Sequence, residues 1–309
     1  MELIIAGILT SFFLSLLVPR LKSNALIDRP NERSSHKIPK PTAGGIIFVL
    51  VSTTFITLKG YYVPLICLPL ALVGFLDDLF FLNAGLRYFI QVLTAISLIK
   101  ISPLVQNFES IPIIAMIFLY IVLILIITGI INFCNFMDGL DGLLTGCMII
   151  IFALICFSSN PELIPLVGSL LGFLAWNWSP SKIFMGDVGS TFLGAVFCGI
   201  IFQSSTFEYT FAYLLIASPL LFDSSICVIR RYFAKQNIFE PHCLHLFQRL
   251  HQSGWSHSKV SILYITATTF LGVNYSLFGL QTLIILSILT LLVGFIIDKK
   301  FAIPFSIVN

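Results

Sequence analysis

Residues 132–143 read Asn-Phe-Cys-Asn-Phe-Met-Asp-Gly-Leu-Asp-Gly-Leu and separate two long apolar runs. The stretch places an amide or a carboxylate at every third residue: Asn132, Asn135, Asp138 and Asp141. On a helix, side chains three residues apart are neighbours, so these four would form one polar stripe. Oxygen ligands of this kind suit Mg²⁺, with Mn²⁺ as the alternative, and acids set against a membrane favour a functional site. The other interpretation is an interfacial turn in which glycines break the helix and the polar groups face water.

The composition indicates an integral membrane protein. Of 309 residues, 58% are hydrophobic and only 10% are charged, and the mean hydropathy is +1.01. Soluble domains carry about 25% charged residues, so the main solvent of this chain is the lipid bilayer. Residues 1–5 contain no basic segment and no cleavage motif follows, so we expect the first apolar run to be retained. The seven cysteines are scattered and predict buried small side chains rather than disulfides.

Eleven apolar runs in the sequence are long enough to cross a bilayer, which takes roughly 17–25 residues. They lie near residues 3–19, 43–58, 62–79, 86–101, 111–131, 143–158, 162–178, 188–205, 208–229, 259–276 and 280–297. Several runs are short or contain Gly and Pro. The predicted fold class is therefore an all-α polytopic membrane protein, a single domain with about 10–11 transmembrane helices.

The basic residues predict the orientation. By the positive-inside rule the first loop, which carries six Lys and Arg, lies in the cytoplasm. Strict alternation from there leaves only Lys59 and Lys100 of the 17 basic residues outside, and it places all eight Asp on the cytoplasmic side. The predicted cytoplasmic loops are about 20–42, 77–86, 132–142, 179–188 and 230–258. An ion-coupled transporter, the non-enzyme alternative, would place its polar groups at mid-depth instead.

Asp77 and Asp78 end the third apolar run. Two adjacent carboxylates repel each other, so at a membrane boundary they require a metal ion or a basic partner. Arg87, at the start of the next run, is the candidate partner and could instead hold a phosphate. The alternative is a solvated helix end with a snorkelling Arg.

Residues 182–191 read Lys-Ile-Phe-Met-Gly-Asp-Val-Gly-Ser-Thr and open the eighth run. Gly186 and Gly189 permit close backbone approach, and the N-terminus of the helix that follows is a natural phosphate seat. Asp187 would then bind the cation that neutralises the phosphate oxygens, and Lys182 is a candidate substrate contact. The alternative is an Asp helix cap, which is frequent in any helix.

Residues 241–250 read Pro-His-Cys-Leu-His-Leu-Phe-Gln-Arg-Leu in the largest cytoplasmic loop. This pattern could suggest zinc, but zinc takes four ligands and no CxxC partner lies nearby. We expect His242, His245 and Arg249 to donate to a pyrophosphate or a nucleotide sugar. The alternative is a basic amphipathic helix on anionic headgroups. The first loop, residues 28–45, would similarly attract anionic lipid or a polyanionic substrate.

Polar groups from five loops between the predicted spans therefore lie at one membrane surface. Phosphoryl transfer needs a divalent ion and positive groups but little covalent chemistry from the protein. Neither a Ser-His-Asp order nor a Walker loop competes with this interpretation, and nothing in the chain indicates a nucleic-acid partner. In a membrane, the natural substrate is a lipid phosphate.

Four ordered motifs resemble the polyprenyl-phosphate N-acetylhexosamine-1-phosphate transferases of the glycosyltransferase 4 family. They are Asp77-Asp78, Asn-x-x-Asn-x-x-Asp-Gly-Leu-Asp-Gly (132–142), Phe-Met-Gly-Asp-Val-Gly-Ser (184–190) and the His-x-x-His segment with Gln248-Arg249-Leu250. The resemblance implies that undecaprenyl phosphate attacks the β-phosphorus of a UDP-N-acetylhexosamine, giving undecaprenyl-diphospho-sugar and UMP. It also implies a bacterial inner membrane with the active site facing the cytoplasm, and it leaves a homodimer open.

The resemblance further implies roles for single residues. Asp187 and Asp138 would bind Mg²⁺ with Asp141 in support, and Asp77 and Asp78 would organise or deprotonate the lipid phosphate. The implied or candidate substrate contacts are Arg87, Asn132, Asn135, Lys182, His242, His245 and Arg249.

The histidine segment departs from the triple-His form of the peptidoglycan enzyme and from the His-x-His-His form of the common-antigen enzyme. It is similar to the branch that transfers 6-deoxy-N-acetylhexosamine phosphates to begin O-antigen synthesis, and Pro-Asn-Glu-Arg-Ser-Ser-His (30–36) indicates the same branch. GlcNAc, GalNAc, FucNAc and QuiNAc all stay open. Phospho-N-acetylmuramoyl-pentapeptide transfer is the weaker enzymatic alternative.

Overall fold

The computed structural model describes residues 1–21, 26–30, 38–107, 111–204, 206–238, 240 and 242–305. Within these ranges nearly all regular structure is helical, and strands are confined to the short antiparallel pair β1 (Ile27–Asp28) and β2 (Lys40–Pro41). The all-α class is therefore confirmed. Most of the predicted 30–36 motif, together with Lys22, Arg33 and Lys37, lies outside the described residues.

Thirteen α-helices are formed by the described residues. They are α1 (Glu2–Leu21), α2 (Gly45–Leu58), α3 (Val63–Phe80), α4 (Ala84–Lys100), α5 (Pro103–Gln106), α6 (Ile113–Phe136), α7 (Leu143–Ser158), α8 (Ile164–Asn177), α9 (Asp187–Ile201), α10 (Phe207–Ile216), α11 (Ser218–Phe233), α12 (Leu246–Gln252) and α13 (His257–Phe301).

The helices agree with the apolar runs because a run without water partners must satisfy its backbone internally. Among the helices of the described residues, four are long and apolar enough to cross a bilayer, namely α1, α3, α6 and α13. A fifth span is formed if α10 and α11, bent by 74°, count as one. Helices α2, α7 and α9 are apolar but shorter. The polytopic membrane class is confirmed, whereas the count of ten or eleven spans stays a prediction.

Helix α13 covers 45 residues and contains the two last predicted spans. Gly279 interrupts it with φ 75° and ψ −169°, a conformation that residues with a side chain rarely adopt. The second half then returns toward the start of the first half. This is shown by the Phe301 ring, which lies 5.8 Å from the ring of Trp255, a residue that precedes the helix. The predicted separation into 259–276 and 280–297 is thus correct.

Contacts at the helix ends sort into two faces, as strict alternation requires. The helix ends predicted to lie on the outer side are in contact with one another. Lys59 pairs with Glu2, and the Gln203 amide donates to the Ile101 carbonyl at 3.1 Å. Ser159 and Tyr209 are hydrogen-bonded. The polar groups of the other face are described below. Which face is cytoplasmic stays a prediction from the basic residues.

Candidate active site

The site begins where α3 crosses the first turn of α9. A Cβ on Gly74 would lie 2.6 Å from the Asp187 carbonyl oxygen, so only a glycine permits this approach. The crossing brings Asp77 and Asp78, at the end of α3, against Asp187, at the start of α9. The predicted meeting of these two distant motifs is thus found in the structure.

Asp78 caps α9. Its carboxylate accepts hydrogen bonds from the backbone N–H groups of Asp187 at 3.1 Å and Val188 at 3.4 Å. Gly186 has φ 75°, and a side chain there would collide with the same carboxylate. These first N–H groups carry the positive end of the helix dipole. The prediction of an open phosphate seat at this helix end is therefore wrong, because Asp78 occupies it.

Arg87 links two of the carboxylates. Its Nη1 lies 2.6 Å from Asp77 Oδ2 and 3.3 Å from Asp187 Oδ2, while the other Asp77 oxygen accepts the Leu82 N–H at 2.6 Å. The Arg87 side chain remains 38% exposed. The predicted partnership of Arg87 with Asp77 is confirmed, and the guanidinium keeps a solvent-facing side for an incoming anion.

The polar stripe of the sequence is divided between a helix and a turn. Helix α6 ends at Phe136, so Asn132 and Asn135 are helical whereas Asp138 and Asp141 lie in the turn that follows. The Asn135 side chain lies beside the Asp187 carboxylate. Burial raises the pKa of Asp138 well above its ordinary value, and the negative charges of Asp187, Asp78 and Asp141 raise it further. Asp138 therefore belongs to the same acidic cluster.

The donor set of this cluster fits a hard divalent cation. Its ligands are oxygens, and the neighbouring acids disfavour the ionisation of Asp138, as expected where a positive charge is required. Across the described part of the chain, no three of these carboxylates have oxygens all within 4.8 Å of one another. Mg²⁺ does not need such a cage, because it commonly binds one or two carboxylates together with waters and substrate phosphates. Asp138 and Asp187 are the candidates to hold it.

Asp141 has its carboxylate engaged by protein donors. It accepts from the Ser181 N–H at 3.1 Å and the Ser181 hydroxyl at 2.8 Å, and it pairs with His257 at 3.3 Å and Lys40 at 3.5 Å. Although burial raises the pKa of Asp141, the His257 and Ser181 contacts outweigh it and lower that pKa. Asp141 thus holds the 179–186 loop through Ser181, and the predicted support of the Mg²⁺ site stays a prediction.

Two predicted substrate contacts have other partners. The Asn132 amide forms a reciprocal pair with Gln91 at 2.9 and 3.1 Å, which joins α6 to α4. Lys182 is exposed and lies over the Trp176 ring, 5.0 Å from its centroid. The polar stripe predicted from the sequence is therefore shorter by one residue, because the Asn132 side chain is used in packing between helices. Gln91 carried no signal in the sequence beyond its polarity in an apolar run.

Arg249 is buried instead of facing a substrate. Its guanidinium pairs with Asp298 at 2.5 Å and donates to the carbonyls of Leu244 and Ile303 at 3.0 and 2.8 Å. Arg230 pairs with the same Asp298 carboxylate at 2.5 Å. The predicted pyrophosphate contact through Arg249 is wrong for this reason: the residue links α12 to the end of α13.

The histidine segment packs on the acidic turn. The buried His245 ring lies 5.7 Å from the Phe136 ring, and the Phe247 ring covers Gly139. Burial, together with the nearby His245, lowers the pKa of His242 to about 3, so its imidazole is neutral at pH 7. The histidines therefore border the carboxylate cluster, and a neutral His242 offers a phosphate one N–H at most.

Asp223 is a site residue that sequence reasoning missed. It accepts the backbone N–H groups of Leu246 at 2.7 Å and Phe247 at 3.1 Å, and it also accepts the Tyr264 hydroxyl at 2.6 Å. Its position near the end of an apolar run was its one signal. Asp223 fixes the start of α12 and with it the histidine segment.

This fold and site define a class of protein: an integral membrane protein with an acidic site that contains an arginine at one face. Residues 61–205, which include all the clustered carboxylates, match the family described as glycosyl transferase family 4. This match supports the predicted family, the polyprenyl-phosphate hexosamine-1-phosphate transferases.

Curated relatives cover most of the chain. A probable undecaprenyl-phosphate N-acetylglucosaminyl 1-phosphate transferase of Bacillus subtilis is 29% identical over 299 residues, covering 87% of this chain and 83% of its own length. The undecaprenyl-phosphate α-N-acetylglucosaminyl 1-phosphate transferase of Thermotoga maritima is 27% identical, with 79% and 80% covered. A phospho-N-acetylmuramoyl-pentapeptide-transferase of Orientia tsutsugamushi is 34% identical, but over 39% of this chain and 32% of that protein.

Proposed function

We propose that this protein transfers N-acetylhexosamine 1-phosphate from a UDP-sugar to undecaprenyl phosphate at the cytoplasmic face of a bacterial inner membrane. The observation that carries the proposal is the convergence of Asp77, Asp138 and Asp187 with Arg87 at one membrane face. Relatives that share about four fifths of their length with this chain bear the matching names. The predominance of basic residues at this face supports the orientation.

The residues divide the work as follows. Asp187 and Asp138 would hold the divalent cation, with the Asn135 side chain beside Asp187. When bound, Mg²⁺ supplies charge that offsets the phosphate oxygens of the donor and of the leaving UMP. Arg87 receives a phosphate on its exposed side, while Asp77 fixes the guanidinium from the other. Asp78 holds the first turn of α9 and therefore sets the position of Asp187.

A single displacement suits this arrangement. An oxygen of the lipid phosphate attacks the β-phosphorus of the donor, the bond from that phosphorus to the bridging oxygen breaks, and UMP leaves with the electron pair. A phosphate monoester has a second pKa of about 6 and is largely dianionic at pH 7, so no residue needs to remove a proton from the lipid phosphate. This favours electrostatic and orienting roles for the acids over a covalent aspartyl intermediate.

N-acetylglucosamine is the first sugar to test, because the two relatives with the broadest coverage are named for it. The peptidoglycan alternative is supported by matches to about a third of those relatives' length. The O-antigen assignment and the 6-deoxy sugars rest on the histidine segment and residues 30–36, which lie outside the matched 61–205.

The test is UMP release by the purified full-length protein in detergent with undecaprenyl phosphate and a panel of UDP-N-acetylhexosamines. We expect release with UDP-N-acetylglucosamine that requires Mg²⁺ and stops on chelation. If no UDP-sugar releases UMP, the proposal fails. Sugar flux into vesicles without UMP release would favour the transporter instead.

A further inference from the structure

A second cluster of ligand-type side chains lies beside the carboxylate site. The sulfur of Cys227, on α11, and one ring nitrogen each of His242 and His245 all lie within 4.8 Å of one another. Cys227 and His245 are buried and His242 is half-buried. The pattern His-Cys-Leu-His alone had no further ligand nearby in sequence. The fold supplies one from a helix fifteen residues upstream of His242.

The donor set is chemically specific. One thiolate and two imidazoles suit Zn²⁺, which binds Cys sulfur at about 2.3 Å and His nitrogen at about 2.0–2.1 Å. Donors around a tetrahedral ion stand about 3–4 Å apart by that geometry, so small side-chain rotations would bring the three groups to bonding distance. None of the acids assigned to Mg²⁺ takes part in this cluster.

The buried His245 ring has a carboxylate beside one of its two nitrogens. The residue is 2% exposed, and its Nδ1 makes no hydrogen bond within the described residues. That nitrogen lies 3.7 Å from Asp223 Oδ1. Asp223 precedes Cys227 by four residues, so both lie on one face of α11. A histidine that binds a metal through one nitrogen commonly presents the other to a carboxylate, and Asp223 stands in that place.

We propose that Cys227, His242 and His245 bind one Zn²⁺ ion, which holds the histidine segment against α11. Asp223 orients His245, and the fourth ligand is water. Binding converts the Cys227 thiol to a thiolate and releases one proton to solvent. A groove lined by Cys227, Asp223 and Leu244 reaches the Cys227 side of this cluster.

The site would act on the active site through packing. Phe247, two residues after His245, covers Gly139 in the acidic turn; a Cβ there would lie 3.0 Å from the Phe247 ring. Zinc that fixes the segment would therefore fix one wall of the carboxylate site. The inference does not depend on the proposed reaction, because a metal content can be measured in an inactive protein.

The experiment uses the full chain, purified with an affinity tag that contains no histidine, dialysed against Zn²⁺ and then against buffer. We expect about one zinc per chain, and after exchange with Co²⁺ a thiolate-to-cobalt charge-transfer band of tetrahedral coordination. Cys227→Ser should abolish the band and weaken zinc binding at least about tenfold. Cys243→Ser, a matched change within the same segment, should keep both.

Either of two results would overturn the site: wild-type protein that retains less than about a tenth of a zinc per chain, or a Cys227→Ser variant that binds as tightly as wild type. Circular dichroism and thermal unfolding check that the variants are folded. If Cys227→Ser does not fold, His242→Gln replaces it, and the cobalt band of the wild type still decides whether a thiolate is a ligand.

Discussion

The crossing of α3 over α9 at Gly74 can be tested by adding one methyl group. In Gly74→Ala the new Cβ would lie 2.6 Å from the Asp187 carbonyl oxygen and 2.7 Å from the Val188 nitrogen, whereas ordinary contacts begin at 3.4 Å. Both neighbours are backbone atoms, so neither can rotate away. The two helices must therefore separate by about 0.8 Å, the difference between these distances.

The separation of the two helices should lower both the stability and the activity of the variant. Overpacking of this kind costs about 1–3 kcal/mol of stability. It also moves Asp187 away from Asp77 and Arg87, and a misplacement near 1 Å can lower a rate about 100-fold. We expect kcat/KM for UDP-N-acetylglucosamine to fall about 100-fold, with a lower melting temperature.

The assay is UMP release at saturating undecaprenyl phosphate, with thermal unfolding measured on the same preparations. The matched control is Gly129→Ala, since Gly129 lies within α6 and a Cβ added there would meet no atom of a neighbouring element within 4 Å. The control should behave as wild type. An activity of Gly74→Ala within threefold of wild type would show that the close helix crossing does not position the acids.

Three further substitutions and one control test other carboxylates of the chain. Asp187→Asn should lower UMP release more than about 100-fold and raise the Mg²⁺ concentration needed; unchanged Mg²⁺ dependence would contradict the metal assignment. Asp141→Asn should lower the free energy of unfolding by about 1–3 kcal/mol at pH 7. Since folding lowers the pKa of Asp141, this stabilisation is complete above the ordinary Asp range, starts to decline below about pH 4 and is lost as the pH falls through the lowered folded pKa. A deficit that stays the same from pH 7 downwards through that range would refute it. Asp298→Asn leaves the buried Arg249 without its counter-charge and should destabilise by about 3–5 kcal/mol, whereas Glu2→Gln in an exposed pair should cost under about 1 kcal/mol; equal melting temperatures would refute the difference.

Much of the fold follows from local physics. Apolar runs must become helices in lipid, and alternation across the bilayer then sends Asp77, Asp138 and Asp187 to one face. Their convergence was therefore predictable without any knowledge of side-chain contacts. The bend between α10 and α11 and the short lengths of α2 and α9 were not, because they depend on neighbouring helices.

The errors of the sequence-based predictions concern the partners of polar residues and not their positions in the fold. Asn132 and Arg249 are polar residues whose groups could serve a substrate or the protein, and only the packed structure supplies Gln91 and Asp298. Likewise, a helix N-terminus is open or capped according to what another helix brings, here Asp78. A sequence lists donors and acceptors, but the choice among partners distant along the chain is made by tertiary structure.

Adjacent residues of α3 control opposite kinds of charge in the site. Asp77 sets the direction of the Arg87 guanidinium, and Asp78 sets the first turn from which Asp187 projects. A tilt or slide of α3 would consequently shift the positive arm and the cation ligand in concert. In the proposed reaction, the arginine that receives a phosphate and the aspartate that holds the cation would therefore be displaced together.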